Sequence, residues 1–408
     1  MIQYASTFLS YSSKQRDFVE DVERELVRRG ILTWRDVHEL PVGVDLEDEL
    51  REGVNAQLTM TAFISEESIA SDWCKMELAP RLGRVYSKDP TGDAILPVYL
   101  GDPLKLLSSS DELADHWLSA DKKNVTKKGI KVPNLLAADP AEIARELARA
   151  NFLRLDIAHA RQVVIVLDQR GPARPGGKPE LAPSWSSEPW PALVFRPNMG
   201  ERSESETLNP VVWRAVRDAM VQALGDAMGP RRRRDVYVTG NAQFSMAWQV
   251  GQHLDRSSGI RLICRNTRRG EVLEIDFNDS RFVLPLPNLP PSDVAWHSAA
   301  PDATTETVSM YLGDPKYADE VHKHRAAAGD SSPLAVRATG YIEKAEQVID
   351  LARWIATASG MRPVTLYTGL PFHALPLLAA LLKHETGRVT LMEWDKGARV
   401  YRPCSMIA

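Results

Sequence analysis

The stretch from Trp73 to Glu77 carries the residue types and spacing in this chain that best suit chemistry on a ligand. It follows an apolar segment, Leu58 to Ser65, that predicts a buried strand, and Ser71 is a good N-cap for the helix that it opens. Trp73 and Glu77 are four residues apart and therefore share one helix face. An aromatic ring and a carboxylate then lie together near the carboxyl end of a strand, where open α/β sheets bind their ligands.

The elements around this helix alternate between strand and helix patterns. In order, they are a strand over 6–12, an amphipathic helix that stops at Gly30, a strand over 31–36, a loop with Pro41 and Gly43, a short helix capped by Asp45, and the strand over 58–65. Further on come a strand over 94–100, a last strand over 132–135, and a helix over 141–150 that starts at Asp139-Pro140. Such alternation predicts an α/β fold with a parallel sheet.

This order of elements, with the F-L-S-Y-S start, the Pro-Val-Gly loop and the W-C-x-x-E helix, resembles the Toll/interleukin-1 receptor (TIR) family. The resemblance implies a flavodoxin-like TIR domain over residues 1–150 that hydrolyses NAD⁺. It implies Glu77 as the catalytic residue, and as substrate-binding residues it implies Ser10, Tyr11, Trp34, Asp36 and Trp73. It also implies that the active site forms between neighbouring subunits, closed by an assembly loop of Leu40, Pro41, Val42 and Gly43.

The chemistry of NAD⁺ cleavage explains why one carboxylate is enough. Ordinary glycoside hydrolysis uses two carboxyl groups, one of which protonates the leaving group. In NAD⁺ the nicotinamide already carries a positive charge and leaves as a neutral molecule, so no general acid is needed. A single carboxylate then holds the ribose hydroxyls and stabilises the positive charge that develops on the sugar. Two alternatives stay open: Glu77 is a surface carboxylate, or the domain is a non-enzymatic TIR signalling scaffold gated by a nucleotide ligand.

The remainder of the chain, 151–408, contains an internal repeat. Asp235–Gly240 and Pro363–Gly369 both predict a strand that ends in Thr-Gly and feeds an apolar helix. With Gly240 placed on Gly369, the strands that follow fall into register without a gap. Each half therefore predicts a strand, a connector, a long helix, a strand with its Thr-Gly turn, a second helix and a strand. The long helices are predicted over 211–228 and 341–359, with stops at Gly229 and Gly360, and the first connector, 171–191, is an irregular segment that contains Trp190. The halves cover about 155–290 and 300–408, and together they predict a duplicated Rossmann-like domain.

This duplication resembles the SAVED family, in which two fused CARF-like (CRISPR-associated Rossmann) units sense cyclic oligonucleotides. The resemblance implies a crevice between the two repeats that binds a cyclic oligonucleotide, expected to be a trinucleotide. Candidate ligand-binding residues are Gly240, Asn241, Gln243, Phe244, Gly369, Leu370, Phe372, His373, Arg196 and Arg268. The alternative is a purely structural role, in which these are two ordinary strand–helix turns with aromatic residues in the core. A dinucleotide dehydrogenase is disfavoured because neither turn carries G-x-G-x-x-G.

A TIR domain followed by a SAVED domain resembles a TIR-SAVED effector of bacterial anti-phage signalling (CBASS). The resemblance implies that the cyclic nucleotide stacks SAVED domains into a homo-oligomer or filament and so activates the TIR domain. NAD⁺ depletion by abortive infection would follow. NAD⁺ is then the substrate and the cyclic nucleotide the activator, and we expect neither a cofactor nor a metal.

Composition bounds the remaining possibilities. The net charge is −4 and the pI is about 6.2, so no bulk attraction to DNA follows. The three cysteines, Cys74, Cys264 and Cys404, have neither metal-ligand nor redox-motif spacing, which favours a reducing, cytoplasmic setting. The longest apolar stretch, 374–382, is too short to span a bilayer, and the start of the chain does not read as a signal peptide.

Overall fold

The computed structural model describes residues 2–35, 53–72, 74–78, 95–109, 129–168, 190–196, 210–229, 234–242, 244–254, 259–266, 269–279, 294–297, 300–302, 304–383, 388–395 and 400–403. Several predicted site residues lie outside these ranges: Asp36, Leu40, Pro41, Val42, Gly43, Trp73, Gln243 and Arg268. Among the described residues, no helix is long and apolar enough to cross a membrane.

The strands, numbered along the chain, are Ile2–Tyr4 (β1), Ser6–Ser10 (β2), Leu32–Trp34 (β3), Thr59–Ile64 (β4), Ile95–Tyr99 (β5), Ile130–Lys131 (β6), Gln162–Asp168 (β7), Trp190–Phe195 (β8), Asp235–Asn241 (β9), Arg261–Arg265 (β10), Val272–Asp276 (β11), Val308–Gly313 (β12), Leu334–Ala338 (β13), Val364–Thr368 (β14), Val389–Asp395 (β15) and Val400–Pro403 (β16). The α-helices are Arg16–Arg28 (α1), Glu66–Ala70 (α2), Pro103–Ser108 (α3), Pro140–Arg154 (α4), Pro210–Met228 (α5), Phe244–His253 (α6), Ala318–Ala327 (α7), Ala345–Ser359 (α8) and Leu375–Leu382 (α9). Residues 74–78 are also helical.

The chain divides into two compact units. The first comprises Met1–Ala160, Gly171–Gly200 and Gln222–Gly229, and the second comprises Arg161–Arg170, Glu201–Val221 and Pro230–Ala408. The predicted functional boundary near residue 150 stays a prediction, since compactness alone does not define a domain's activity.

The first unit contains a five-stranded parallel sheet with the order β3-β2-β4-β5-β6. This is the flavodoxin-like order, and it confirms the predicted α/β class. One face of the sheet contributes Phe8, Met60 and Tyr99 to a buried core cluster. Helix α1 buries Val19, Val22, Leu26 and Val27. It ends before Gly30, whose φ of +82° suits the predicted stop.

Outside the five-stranded sheet, the first unit also contains a parallel pairing of β1 with β8. Neither β1 nor a strand at Trp190 is among the predicted elements, since the first predicted strand starts at Ser6 and Trp190 lies in the irregular connector of the first repeat. Trp190 instead begins a buried strand. A Cβ built on Gly30 would meet Phe195 and Leu193 of this strand at 3.1 and 3.2 Å, which explains the fit of glycine there.

The second unit confirms the duplication. Strands β7, β9, β10 and β11 lie side by side, with two parallel pairings and then an antiparallel one. Strands β12, β14, β15 and β16 repeat the same order and the same directions. Strand β13 adds a further parallel neighbour to β12. The long helices of the two repeats, α5 and α8, are both followed by glycines with positive φ, Gly229 at +60° and Gly360 at +54°, although residues 222–229 belong to the first compact unit.

Two predicted boundaries are wrong for identifiable reasons. The last strand of the amino-terminal sheet is β6, Ile130–Lys131, rather than 132–135, where Leu135–Ala137 turns into a 3₁₀ helix. Helix α8 begins at Ala345 rather than Tyr341. The Gln347 side chain accepts hydrogen bonds from the N–H groups of Glu343 and Lys344, so it caps the helix three residues inside its start.

Candidate functional site

Glu77 is buried and held by Ser10. The Ser10 hydroxyl donates a hydrogen bond of 2.5 Å to Glu77 Oε2, and each residue is only 3% exposed. Ser10 ends β2, and its partner across the sheet is Ala62 of β4. The carboxylate therefore lies at the carboxyl end of a central parallel strand, which is where open α/β sheets place their sites.

Local sequence explains how Glu77 reaches this position. Strand β4 ends in a capping box, in which Ser65 and Ser68 exchange side chain-to-backbone bonds and start α2. Ser71 then accepts a hydrogen bond from the Cys74 N–H, as predicted for the N-cap of the next helix. Glu77 falls on the inner face of that helix together with Cys74, which is 2% exposed.

A small cleft borders this contact. Its walls include Ser10, Ser68, Cys74, Lys75 and Leu78. The cleft is therefore lined mainly by apolar side chains and by the hydroxyl-bearing Ser10 and Ser68, and it includes the serine that holds Glu77. Lys75 also pairs with the exposed Asp72, at 3.3 Å.

Tyr11, which follows Ser10, contacts a residue that the sequence analysis did not select. Arg35 donates a hydrogen bond of 3.1 Å to the phenol oxygen of Tyr11, and its guanidinium carbon lies 5.9 Å from the ring centroid. Arg35 also forms ion pairs with Glu23, at 2.8 Å, and with Glu20, at 3.2 Å. Thr33 donates a further bond of 2.8 Å to Glu23. These residues join α1 to the ends of β2 and β3.

Burial controls the ionisation of this network. Burial raises the pKa of Glu23, and the opposing effects of Arg35 and Thr33 do not cancel the rise. The pKa of Arg35 is also raised, because its carboxylate and phenol partners outweigh the cost of burial. The sequence signal for this network is a carboxylate on an apolar helix face. Glu23 lies on the buried stripe of α1 beside Val19 and Val22, where a carboxylate needs a partner.

Trp34 lies in the hydrophobic core rather than beside the cleft. Its ring stacks on Phe8 with centroids 5.0 Å apart, and it is 8% exposed. A Cβ built on Gly53 would meet its ring at 2.7 Å. The structure thus brings Ser10, Tyr11 and Glu77 together and places Trp34 in a packing role, while substrate contact by Trp34 stays a prediction.

The two Thr-Gly turns of the second unit differ in their backbone. Gly240 still belongs to β9, where it pairs with Leu167, and its φ is +131°. A Cβ there would meet the Leu167 carbonyl oxygen at 2.1 Å. Gly369 follows β14 and donates a 2.8 Å hydrogen bond to the Leu312 carbonyl. A Cβ built on Gly369 would lie 3.8 Å from its nearest neighbours, the Leu312 carbonyl oxygen and the Tyr311 hydroxyl.

Both turns lie at the junction between the repeats. The 3₁₀ turn Phe372–Ala374 contacts β9, β10 and β11 of the first repeat. In return, the Phe244 N–H and the Ser245 hydroxyl each donate a 2.9 Å hydrogen bond to Glu393, which lies on β15 of the second repeat. The predicted turns therefore meet at one place in the second unit, as expected from the duplication.

The helices that follow the turns pack tightly on each other. A Cβ on Gly251 of α6 would meet the Pro376 carbonyl oxygen at 2.1 Å and Ala379 Cβ at 2.8 Å. The Gln252 side chain donates a 2.8 Å hydrogen bond to the Ala379 carbonyl of α9. Close backbone approach thus fixes the junction between the repeats.

Side chains that follow the two turns differ in their exposure. Leu370 is 1% exposed and His373 is 2% exposed, whereas Phe244 and Phe372 are half-buried. Burial lowers the pKa of His373, although a hydrogen bond to the Ile342 backbone and the charge of Glu271 oppose this. The Tyr341 ring lies 6.5 Å from the His373 ring.

Tyr341 connects this region to the first repeat. The Asn266 side chain donates a 2.7 Å hydrogen bond to its hydroxyl, which in turn donates to Glu271 at 3.1 Å. The Arg269 guanidinium carbon lies 4.3 Å from the centre of its ring. The sequence carries no local signal for this cluster, because its members come from distant hairpin and connector positions.

The structure describes two further candidate ligand residues, Arg196 and Asn241. Arg196 belongs to the first compact unit, where it is buried near Tyr4 after β8. For Asn241 only the backbone is described, as part of β9. Among the described residues, no group of three or more His, Cys, Asp or Glu side chains is arranged to hold a metal ion.

Comparison with known proteins identifies the amino-terminal region. No curated protein matches the chain. The chain is similar to the Acinetobacter baumannii Cap4 SAVED/CARF-domain containing receptor with the cyclic trinucleotide 3'3'3'-cAAA, at 12% identity and a TM-score of 0.42, covering 95% of this chain and 97% of that chain. It is also similar to the Moraxella osloensis Cap4 receptor, at 10% identity and a TM-score of 0.37, covering 98% and 87% of the two chains. The TIR domains of the activated Roq1 resistosome match at 22% identity and a TM-score of 0.28, covering 35% of this chain and 96% of that chain. The family model for the TIR domain matches residues 7–127, and this region is therefore a TIR domain.

Proposed function

We propose that this protein is an NAD⁺ hydrolase that is switched on by a cyclic oligonucleotide. The observation that carries the proposal is the buried Ser10–Glu77 contact at the carboxyl end of the TIR sheet. A surface carboxylate of an amphipathic helix would have no such partner. Glu77 instead faces inward and is held in one orientation, as a group that must meet a developing charge needs to be.

The reaction requires only what this site offers. The bond between ribose C1' and the nicotinamide nitrogen breaks, and its electron pair neutralises the pyridinium charge. The Glu77 carboxylate stabilises the positive charge left on the sugar. One water molecule then adds to C1' and releases one proton, giving ADP-ribose and neutral nicotinamide.

The second unit has features that suit a sensor of the cyclic oligonucleotide. Two related strand–glycine–helix turns meet at the junction of the repeats, and Phe244 and Phe372 are half-buried there. Half-exposed aromatic rings can stack on bases. Base identity and ring size of the activator remain part of the proposal, and a trinucleotide is our expectation.

Activation through assembly completes the proposal. An enzyme that destroys a central cofactor must stay inactive until it is required. We expect ligand binding to bring TIR domains together, with Leu40, Pro41, Val42 and Gly43 of one subunit beside the site of the next. These four residues are assigned from the resemblance to the TIR family.

Replacement of Glu77 tests the catalytic assignment. Glu77→Gln keeps the volume of the side chain and a carbonyl acceptor for Ser10 but removes the charge. We expect NAD⁺ cleavage to fall by at least about a thousandfold, since electrostatic stabilisation is usually the largest catalytic contribution. The matched control is Glu66→Gln, an exposed carboxylate paired with Lys105, which should leave cleavage unchanged.

The outcome separates enzyme from scaffold. Full NAD⁺ turnover by a folded Glu77→Gln protein would remove Glu77 from the reaction. Absence of turnover by the wild-type chain with every nucleotide tested would favour the signalling scaffold, in which the TIR domain only recruits partners.

A further inference from the structure

A buried charged network lies beside the Ser10–Glu77 contact. Arg35, at 3% exposure, pairs with the buried Glu23 of α1 and donates a hydrogen bond to the hydroxyl of Tyr11. Tyr11 is the residue after Ser10 in the chain. The network therefore ends one residue away from the hydroxyl that holds the candidate catalytic carboxylate.

This network is a poor device for stability. Removing an arginine and a glutamate from water costs several kcal/mol per ion in general, and mutual attraction often fails to repay it. Apolar residues of similar volume usually serve a core as well or better. Burial raises the pKa of Glu23 even beside Arg35, in agreement with a charge held at some cost.

The geometry of the network fixes one side chain. The guanidinium group is planar and rigid, and Glu23 and Glu20 hold it from α1 at 2.8 and 3.2 Å. It can then present its N–H to Tyr11 in one direction only. Tyr11 is itself buried, at 9% exposure, so both its ring and its hydroxyl are restrained. The backbone at the end of β2 is restrained with them.

We propose that Arg35 is a positioning residue of the TIR site, which acts through Tyr11 to aim the Ser10 hydroxyl at Glu77. The proposal rests on the proposed cleavage of NAD⁺ by Glu77. Arg35 itself need not touch the substrate. Since the orientation of Glu77 matters most when charge develops on the ribose, loss of the network should lower kcat and leave KM nearly unchanged.

The test replaces the whole ion pair rather than one partner, so that no single charge is left buried. In the full-length protein, Glu23→Leu with Arg35→Met removes the network, Tyr11→Phe removes only the hydroxyl that Arg35 contacts, and a triple variant combines them. The control pair is Asp21→Leu with Arg24→Met, an exposed ion pair on the same helix. Each variant is assayed with the cyclic nucleotide that activates the wild type, or with none if the wild type is active alone.

We expect the Glu23/Arg35 variant to lose about tenfold to a hundredfold in kcat, with KM within about threefold of the wild type. Tyr11→Phe should lose a similar factor, and the triple variant should be no slower than the double, because both changes interrupt one path. The control pair should retain wild-type kcat.

Several results would overturn the proposal. The first is a folded Glu23/Arg35 variant with wild-type kcat. The second is a triple variant in which the losses from Tyr11→Phe and from the ion-pair variant multiply. The third is a loss of kcat that equals the unfolded fraction measured by circular dichroism. If the double variant does not fold, Arg35→Lys keeps the charge beside Glu23 but not the planar contact, and wild-type kcat in that folded protein would also overturn it. Persistent turnover in Glu77→Gln refutes the proposed function instead. No turnover by the wild type refutes both.

Discussion

The two Thr-Gly turns of the second unit are alike in sequence and unlike in structure. Gly240 continues its strand with φ of +131° and lies against the Leu167 backbone, while Gly369 has left its strand, and a Cβ built on it would make only ordinary contacts at 3.8 Å or more. The fold requires a glycine at the first position, whereas the second position has room for a side chain. Duplication of a motif therefore does not ensure that both copies keep the same function.

The contacts across the junction differ as well. Glu393 of the second repeat accepts bonds from Phe244 and Ser245 at the start of α6. With Gly240 placed on Gly369, the counterpart of Glu393 in the first repeat is Cys264, a buried thiol whose pKa is raised by burial. A cyclic ligand with identical faces would thus meet two different surfaces in the second unit.

The largest predicted contrast is between the glycines themselves. Gly240→Ala should destabilise the second unit by about 3 kcal/mol or more, because its Cβ meets backbone atoms and its φ disfavours any side chain. Gly369→Ala should change stability by less than about 0.5 kcal/mol. Urea unfolding followed by circular dichroism measures both. Equal effects of the two substitutions would contradict the difference between the turns.

A smaller effect should come from Glu393. Glu393→Ala leaves the Phe244 N–H and the Ser245 hydroxyl without this acceptor and should cost about 1–3 kcal/mol, whereas Glu393→Gln keeps one acceptor and should cost less. The exposed Glu306→Ala is the control. Thermal unfolding provides the ranking, and an alanine variant as stable as the control would show that the junction does not depend on this contact.

The smallest effect concerns pH. The pKa of His373 is lowered by burial, so the folded state binds its proton less readily than the unfolded state. Stability from this residue is present above the ordinary histidine pKa and falls as pH drops below it, by at most about 1.4 kcal/mol per pH unit. His373→Gln should flatten the slope of stability against pH between about 6.5 and 5. An unchanged slope would mean that His373 protonates freely in the fold.

Much of the architecture was predictable because it has a local signal. Strand–helix alternation predicted the parallel sheets, and the stops at Gly30, Gly229 and Gly360 all show positive φ. The Ser71 cap also follows from short-range pattern, whereas the burial of Glu77 did not, since a surface carboxylate was equally compatible with the helix pattern. The family resemblance added Ser10, which the structure places against Glu77.

The contacts that join distant segments had no such signal. Arg35 meets Glu23 and Tyr11 through the sheet order, and Glu393 meets Phe244 across 149 positions of sequence. Strand β8 lies inside a stretch rich in Pro and Gly, where periodicity is weak. Side-chain pairing of this kind depends on tertiary packing. Of these residues only Glu23 has a sequence signal, because it is a carboxylate on an apolar helix face.

The most direct test of the account measures NAD⁺ consumption by the full-length protein with and without cyclic nucleotides. The panel contains cyclic di-, tri- and tetranucleotides, and nicotinamide release is followed by chromatography over a range of protein concentrations. We expect no consumption without nucleotide, consumption with one member of the panel, and a rate that rises faster than linearly with protein concentration. Equal consumption with and without nucleotide, or no consumption with a nucleotide that calorimetry shows to be bound, would contradict the account.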